Sequence, residues 1–201
     1  GGLTGKSSGF KKLDELTTGC QKGELIIIAG RPSMGKTALA LNIAEHTALA
    51  DNNAVAVFSL EMSAEQLAFR LISSLGGINQ GSLRTGDLTD QGWEAFNYAV
   101  NQMKDMPLYI DDTPSLTPFE IRSRARRIQR EKGLSLIVID YLQLMQIQGS
   151  KDNRAHPRQA TTRRKRPQHA RANGPFGSSS LAMSGPTPPR IPVILAVATK
   201  P

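Results

Sequence analysis

The stretch LIIIAGRPSMGKT, residues 25–37, constrains this chain more than any other. A short aliphatic run, expected to be a buried strand, ends in glycine, and from Gly30 the spacing is G-x-x-x-x-G-K-[ST]. A helical pattern opens at Lys36, with Leu39, Ile43 and Thr47 on one face. Strand, tight turn and helix in this order are what a polyphosphate cradle of backbone N–H groups requires. Gly30 and Gly35 permit close approach and unusual dihedrals, and the helix start adds its dipole. Lys36 is placed to reach β- and γ-phosphates, and the Thr37 hydroxyl to ligate Mg²⁺. The expected nucleotide contacts are Gly30, Arg31, Pro32, Ser33, Met34, Gly35, Lys36, Thr37 and Ala38.

The rest of the chain supplies a sheet for that turn. AVAVFSL at 54–60, LYIDD at 108–112 and LSLIVIDYL from 134 are further β-branched or aliphatic runs. Between them lie helix starts. Ser63 and Gln66 have capping-box spacing, and TPFE at 117–120 adds proline at the first helical position. That last helix is expected to run to Lys132 and stop at Gly133. Another helix spans about 89–104, and its Trp93, Phe96 and Val100 are expected to pack it onto the sheet. Continuous apolar strands alternating with helices predict an α/β fold, a mostly parallel sheet with helices on both faces. Ligands bind such sheets beyond the carboxyl ends of the strands, where Gly30, Glu61, Asp111 and Asp140 all fall.

Asp140 stands out within LIVIDYLQLM, because an ionised carboxylate buried without a partner costs several kcal/mol. Facing a Mg²⁺ held opposite by Thr37, it is tolerable; the other reading is a cap for the turn that follows. Asp140 therefore joins the nucleotide contacts, and Thr37 and Asp140 form the expected metal pair. Hydrolysis also needs a group that orients or deprotonates water. Glu61 is the best-placed carboxylate, alongside Lys36 as the second catalytic residue. Asp111 and Asp112 compete, although DDTPS suits capping or a turn better.

Composition excludes other classes. No apolar run approaches the ~20 residues of a membrane span. A single cysteine, Cys20, makes no intrachain disulfide, fits a reducing cytosol and reads as a small buried hydrophobe. The net charge of +8 is unevenly divided: residues 1–153 hold 16 Lys and Arg against all 17 acids, a net of −1. The other nine basic residues lie in 154–201, which has no acid. The start Gly1-Gly2-Leu3 reads as a fragment of a longer protein.

Four motifs in order, Gly30–Thr37, FSLEMS at 58–63, RSRARRI at 122–128 and IDYLQLM at 139–145, together resemble the RecA-like motor domain of replicative DNA helicases of the DnaB type. SSGFKKLDELTTG at 7–19 is similar to that family's entry into its first strand. The resemblance covers about residues 3–154. It implies a RecA-like P-loop NTPase core, here truncated, with ATP and Mg²⁺ as cofactors. Glu61 becomes the catalytic glutamate, Lys36 and Thr37 the phosphate and Mg²⁺ groups, and Asp140 the Walker B acid. It further implies a homo-oligomeric ring hexamer threaded by single-stranded DNA, a primase and a helicase loader as partners, and a cytoplasmic, nucleoid-associated protein. A preceding domain and linker helix belong to the same pattern. Two other readings are a phosphotransferase, for which no acceptor lid is evident, and a non-catalytic nucleotide- and nucleic-acid-binding module.

The arginines of RSRARRIQREK read first as a solvated helix face, and otherwise as a subunit or nucleic-acid contact. Past Asn153 the resemblance is lost. Residues 154–190 are rich in basic residues, Pro, Ser and Gly and have the composition of a disordered, irregular tail. An altered reading frame or artificial end is favoured over a divergent extension or a truncated linker, and TTRRKRPQHAR, 161–171, is expected to bind phosphates only non-specifically. IPVILAVATKP, 191–201, is a possible terminal strand without the glutamine by which the family senses a γ-phosphate. The family's arginine finger is also missing. Such groups are worth ~10³ to 10⁵ in rate, so weak hydrolysis by this chain is expected.

Overall fold

The computed structural model describes residues 2–50, 54–140, 142–144 and 192–199. Residues 154–190, the 161–171 segment, and Tyr141 and Met145 of the fourth motif lie outside the described residues. Strands form where β-branched runs continue without a breaker: β1 Leu25–Gly30, β2 Ala54–Ser59, β3 Leu108–Asp111, β4 Leu134–Asp140 and β5 Val193–Thr199. Six α-helices are described: α1 Lys11–Thr17, α2 Lys36–Ala50, α3 Ala64–Gly76, α4 Gln80–Thr85, α5 Asp90–Asp105 and α6 Pro118–Lys132. Local chemistry sets their ends. Ser63 and Gln66 close a capping box on α3, Thr117 and Glu120 close another on α6, and Gly133 ends α6 by donating its N–H to Gln129.

The five strands pair in parallel in the order β1-β5-β4-β2-β3. All six β2 residues and all seven β4 residues are buried, as central strands covered on both faces must be. On one face, Ala40, Leu41, Ile43 and Ala44 of α2 pack with Val55, Val57, Leu136, Val138 and Leu195. On the other, Ile121 and Ala125 of α6 pack with Ala56, Phe58, Ile137 and Ile139. The described residues thus form the expected α/β layer structure, a parallel sheet with helices on both faces.

Two expectations fail locally. LIIIAG was expected to be a buried strand, yet β1 alternates exposed and half-buried positions, with Leu25 at 58% and Ile27 at 56% exposure. The reason is topological: among the described residues β1 pairs only with β5, which makes it an edge strand. The second concerns α5, which lies against α3 and buries Ala99. Trp93 stays 46% exposed and meets Phe96 edge-on at 5.7 Å between ring centroids, so this pair does not dock the helix onto the sheet.

The segment leading into β1 is held by one acid. Asp14, buried at the first turn of α1, accepts from the Ser7 hydroxyl (2.6 Å) and from the Ser8 N–H (2.8 Å) and hydroxyl (2.6 Å). Burial opposes its ionisation, but those hydrogen bonds win and hold its carboxyl below the usual range. Cys20 is half-buried against the core, where burial pushes its thiol up.

Candidate functional site

A cleft of about 740 Å³ opens at the carboxyl ends of the strands. Pro32, Ser33, Gly35, Lys36 and Thr37 line one side, and Glu61 and Asp140 also line it. The turn between β1 and α2 takes its shape from two residues in the left-handed region, Ser33 (φ 63°) and Gly35 (φ 78°). The sequence reading gave the unusual dihedrals to Gly30 and Gly35; only Gly35 has one. Gly30 ends β1, and a Cβ there would meet the Lys36 side chain at 3.6 Å, an ordinary contact. A serine carries the second bend because the loop, not the strand end, must reverse.

Lys36 donates from Nζ to the Arg31 carbonyl at 2.8 Å. Its ammonium is therefore held over the loop by the loop's own backbone. Arg31, Met34 and Ala38 are exposed and, with Gly30, do not line the cleft.

Asp140 ends β4 at 3% exposure, and neither of its carboxylate oxygens has a hydrogen-bond partner. Burial pushes its carboxyl up. The Thr37 hydroxyl pulls it down without completing a hydrogen bond, Glu61 adds to the rise, and Arg70 and Lys36 oppose it. A buried acid left this way is a place prepared for a positive group that the protein does not itself supply.

Glu61 lies on the turn after β2. That turn is held from within by Ser59, whose hydroxyl donates to the Met62 carbonyl (2.7 Å) and accepts from the Met62 N–H (3.2 Å). The Leu60 N–H donates to the Asp140 carbonyl at 2.6 Å, so the backbone carrying Glu61 is fastened to the end of β4. The turn between β2 and α3 is thus joined to the end of β4 at Leu60.

The fourth strand-end residue, Asp111, does not line the cleft, in keeping with the turn reading of DDTPS. Asp111, at the end of β3, accepts from the Arg124 guanidinium of α6 and from the Thr113 N–H at 3.1 Å. Burial works against its ionisation, and those bonds overcome it, holding the carboxyl below the usual range. Asp111 is a structural acid because α6 offers it a cation that Asp140 lacks. Conversely, Met62, Gln66 and Arg70 line the cleft without having been singled out. Gln66 and Arg70 stand one turn apart on α3, and Met62 precedes its Ser63 cap, so their place beside Glu61 emerges only from the fold.

The donor set suits a hard divalent cation shared with phosphate. Among the described residues no three His, Cys, Asp or Glu cluster as an all-protein cage. One hydroxyl (Thr37) and one carboxylate (Asp140) are what Mg²⁺ takes when phosphates and water complete its shell.

Comparison with known proteins places this architecture. The model of the DnaB-like helicase C-terminal domain matches residues 5–166. The chain belongs to that family. The match continues beyond the break read near Asn153. The chain is 50% identical over 155 residues to the replicative DNA helicase DnaC of Bacillus subtilis, covering 77% of this chain and 34% of the relative. It is 51% identical over 155 residues to the replicative DNA helicase DnaB of Geobacillus stearothermophilus, again covering 34% of the relative. The chain thus spans about a third of the length of these relatives. Among solved structures, a DnaB-like replicative helicase studied with primase superimposes with a TM-score of 0.72 at 34% identity, covering 77% of this chain and 38% of that one. A separately solved ATPase domain gives the same score and identity, with 55% of that chain covered.

Proposed function

We propose that this DnaB-like domain is the ATP-hydrolysing motor of a replicative DNA helicase, converting hydrolysis into movement along single-stranded DNA. The observation that carries this reading is Asp140: a buried, unpartnered carboxylate on the same cleft as a lysine, a threonine hydroxyl and a glutamate. When bound, Mg²⁺ would neutralise charge on the phosphates, held by Thr37 and Asp140. Lys36 exchanges the Arg31 carbonyl for phosphate oxygens, and the loop N–H groups accompany it. Glu61 orients the attacking water and accepts its proton. Arg70 faces the same carboxylates from α3 and adds positive charge where negative charge develops.

The family context supports a homo-oligomeric ring, with primase and a helicase loader as partners, working in the cytoplasm on single-stranded DNA. Among the described residues no helix is long and apolar enough to cross a membrane. Without an arginine supplied by a neighbouring subunit, this chain alone binds nucleotide and hydrolyses it weakly. Nucleotide titration and hydrolysis with and without single-stranded DNA, on the wild type, Lys36→Ala and Glu61→Gln, test the reading. Lys36→Ala is expected to weaken binding severely and Glu61→Gln to lose only turnover. Normal hydrolysis by Glu61→Gln would end the assignment of Glu61.

A further inference from the structure

Asp112 does not line the cleft, yet its carboxylate reaches the element that carries Glu61. Its Oδ2 accepts from the Ala64 N–H at 2.8 Å, across 48 positions of sequence. Ala64 is the first residue of α3, immediately after the Ser63 cap, so its N–H is one of those a helix leaves unpaired. The Ser63 hydroxyl satisfies Gln66, and Asp112 satisfies Ala64, so the helix start has two separate acceptors. A carboxylate at this position is also favoured by the helix dipole.

The loop that holds Asp112 is itself fixed. Next to it, Asp111 and the Thr113 hydroxyl both take hydrogen bonds from Arg124 of α6, the second at 2.9 Å. The turn bearing Glu61 therefore has an anchor on either side. The Asp140 carbonyl holds Leu60 at the end of β4, and Asp112 holds Ala64 from the end of β3. Remove the second, and the turn keeps its Ser59 staple but can pivot about Leu60.

We propose that Asp112 is a positioning residue for hydrolysis, fixing the Glu61 turn through its bond to the Ala64 N–H. This rests on the reading of Glu61 as the water-orienting group. Asp112 does not line the cleft; it acts by restricting where the Glu61 carboxylate can stand. Small displacements of such a group matter, since about 1 Å can cost on the order of 10²-fold in rate.

Asp112→Ala and Asp112→Asn separate this role from simple stabilisation, because asparagine keeps an oxygen that accepts from Ala64. Three quantities are measured on the full chain: the dissociation constant of ATP with Mg²⁺, single-turnover hydrolysis with protein in excess, and amide exchange over residues 60–66. Asp112→Ala is expected to slow hydrolysis roughly 10- to 100-fold while the dissociation constant moves less than about twofold. Amide exchange at Ala64 and its neighbours should rise about fivefold, the scale of one lost hydrogen bond. Asp112→Asn should recover most of both. In a Glu61→Gln background, Asp112→Ala should slow hydrolysis no further.

Unchanged exchange over 60–66 overturns the tether, and so does an asparagine variant no better than alanine. Binding that weakens in step with hydrolysis overturns the positioning role. If Glu61→Gln alone hydrolyses normally, the reading of Glu61 fails, whereas the exchange result still reports on the tether.

Discussion

Two aspartates end strands on either side of β2, at the same edge of the same sheet, and their surroundings are opposite. Asp111 closes β3 with a guanidinium and a backbone N–H on its carboxylate, which stays ionised below the usual range. Asp140 closes β4 almost wholly buried, with no partner on either oxygen and its carboxyl pushed up. The residue type is shared, but the register differs by one: Asp111 pairs with Phe58 and Asp140 with Ser59, so the two side chains leave opposite faces of the sheet and meet different helices. Arg124 of α6 completes one acid. The face of α2 and α3 leaves the other incomplete. A satisfied carboxylate belongs to the architecture, while an unsatisfied one marks where a ligand is meant to supply the missing charge.

That contrast can be broken most decisively at the groups surrounding Asp140. Glu61→Gln is expected to lower single-turnover hydrolysis by roughly 10²- to 10⁴-fold, the range for losing a general base, with ATP affinity nearly unchanged. Lys36→Ala comes next: removing a charge-assisted phosphate contact should weaken ATP binding on the order of 10²-fold by calorimetry. Asp140→Asn sharpens the comparison because its two effects have opposite signs. Magnesium-dependent nucleotide affinity should fall about tenfold, while the ligand-free chain should melt a few degrees higher, since a buried unpaired charge is removed.

The pH dependence follows from the same carboxyl. Its folded-state pKa is raised, so the folded chain holds the proton more tightly than the unfolded one. Stability of the ligand-free protein should therefore fall as pH rises from the ordinary carboxylate range through the raised value, and Asp140→Asn should flatten that slope. The smallest effect belongs to the other acid. Arg124→Ala is expected to cost about 1 kcal/mol in denaturant unfolding, modest because both partners are partly solvated, with Arg124 at 39% and Asp111 at 25% side-chain exposure. Nucleotide affinity should not change. A large loss there would return Asp111 to the site.

The fold was legible wherever local chemistry and tertiary demand agree. The caps at Ser63 and Thr117, the stop at Gly133 and the strands leading to Gly30 and Asp140 are read directly from spacing. Legibility failed where the answer depends on which element lies beside which. Apolar character makes LIIIAG look buried, but strand order puts it at an edge. Trp93 has helical spacing with its neighbours, but α5 sits on α3. The turn and capping reading of DDTPS holds at Asp111 and Asp112, but the capture of Asp111 by Arg124, 13 residues on, could not be read from spacing. Arg70 went unnoticed since a lone arginine on an amphipathic helix carries no sign of what it faces.

The edge position of β1 has a practical consequence for anyone handling this protein. Among the described residues one side of β1 has no strand beside it, and with Leu25 and Ile27 more than half exposed it is a template on which other polypeptides can add. Solubility should therefore be limited by concentration rather than by temperature. A charged side chain in place of Ile27 would raise that ceiling and leave the phosphate-facing turn beyond Gly30 as it is.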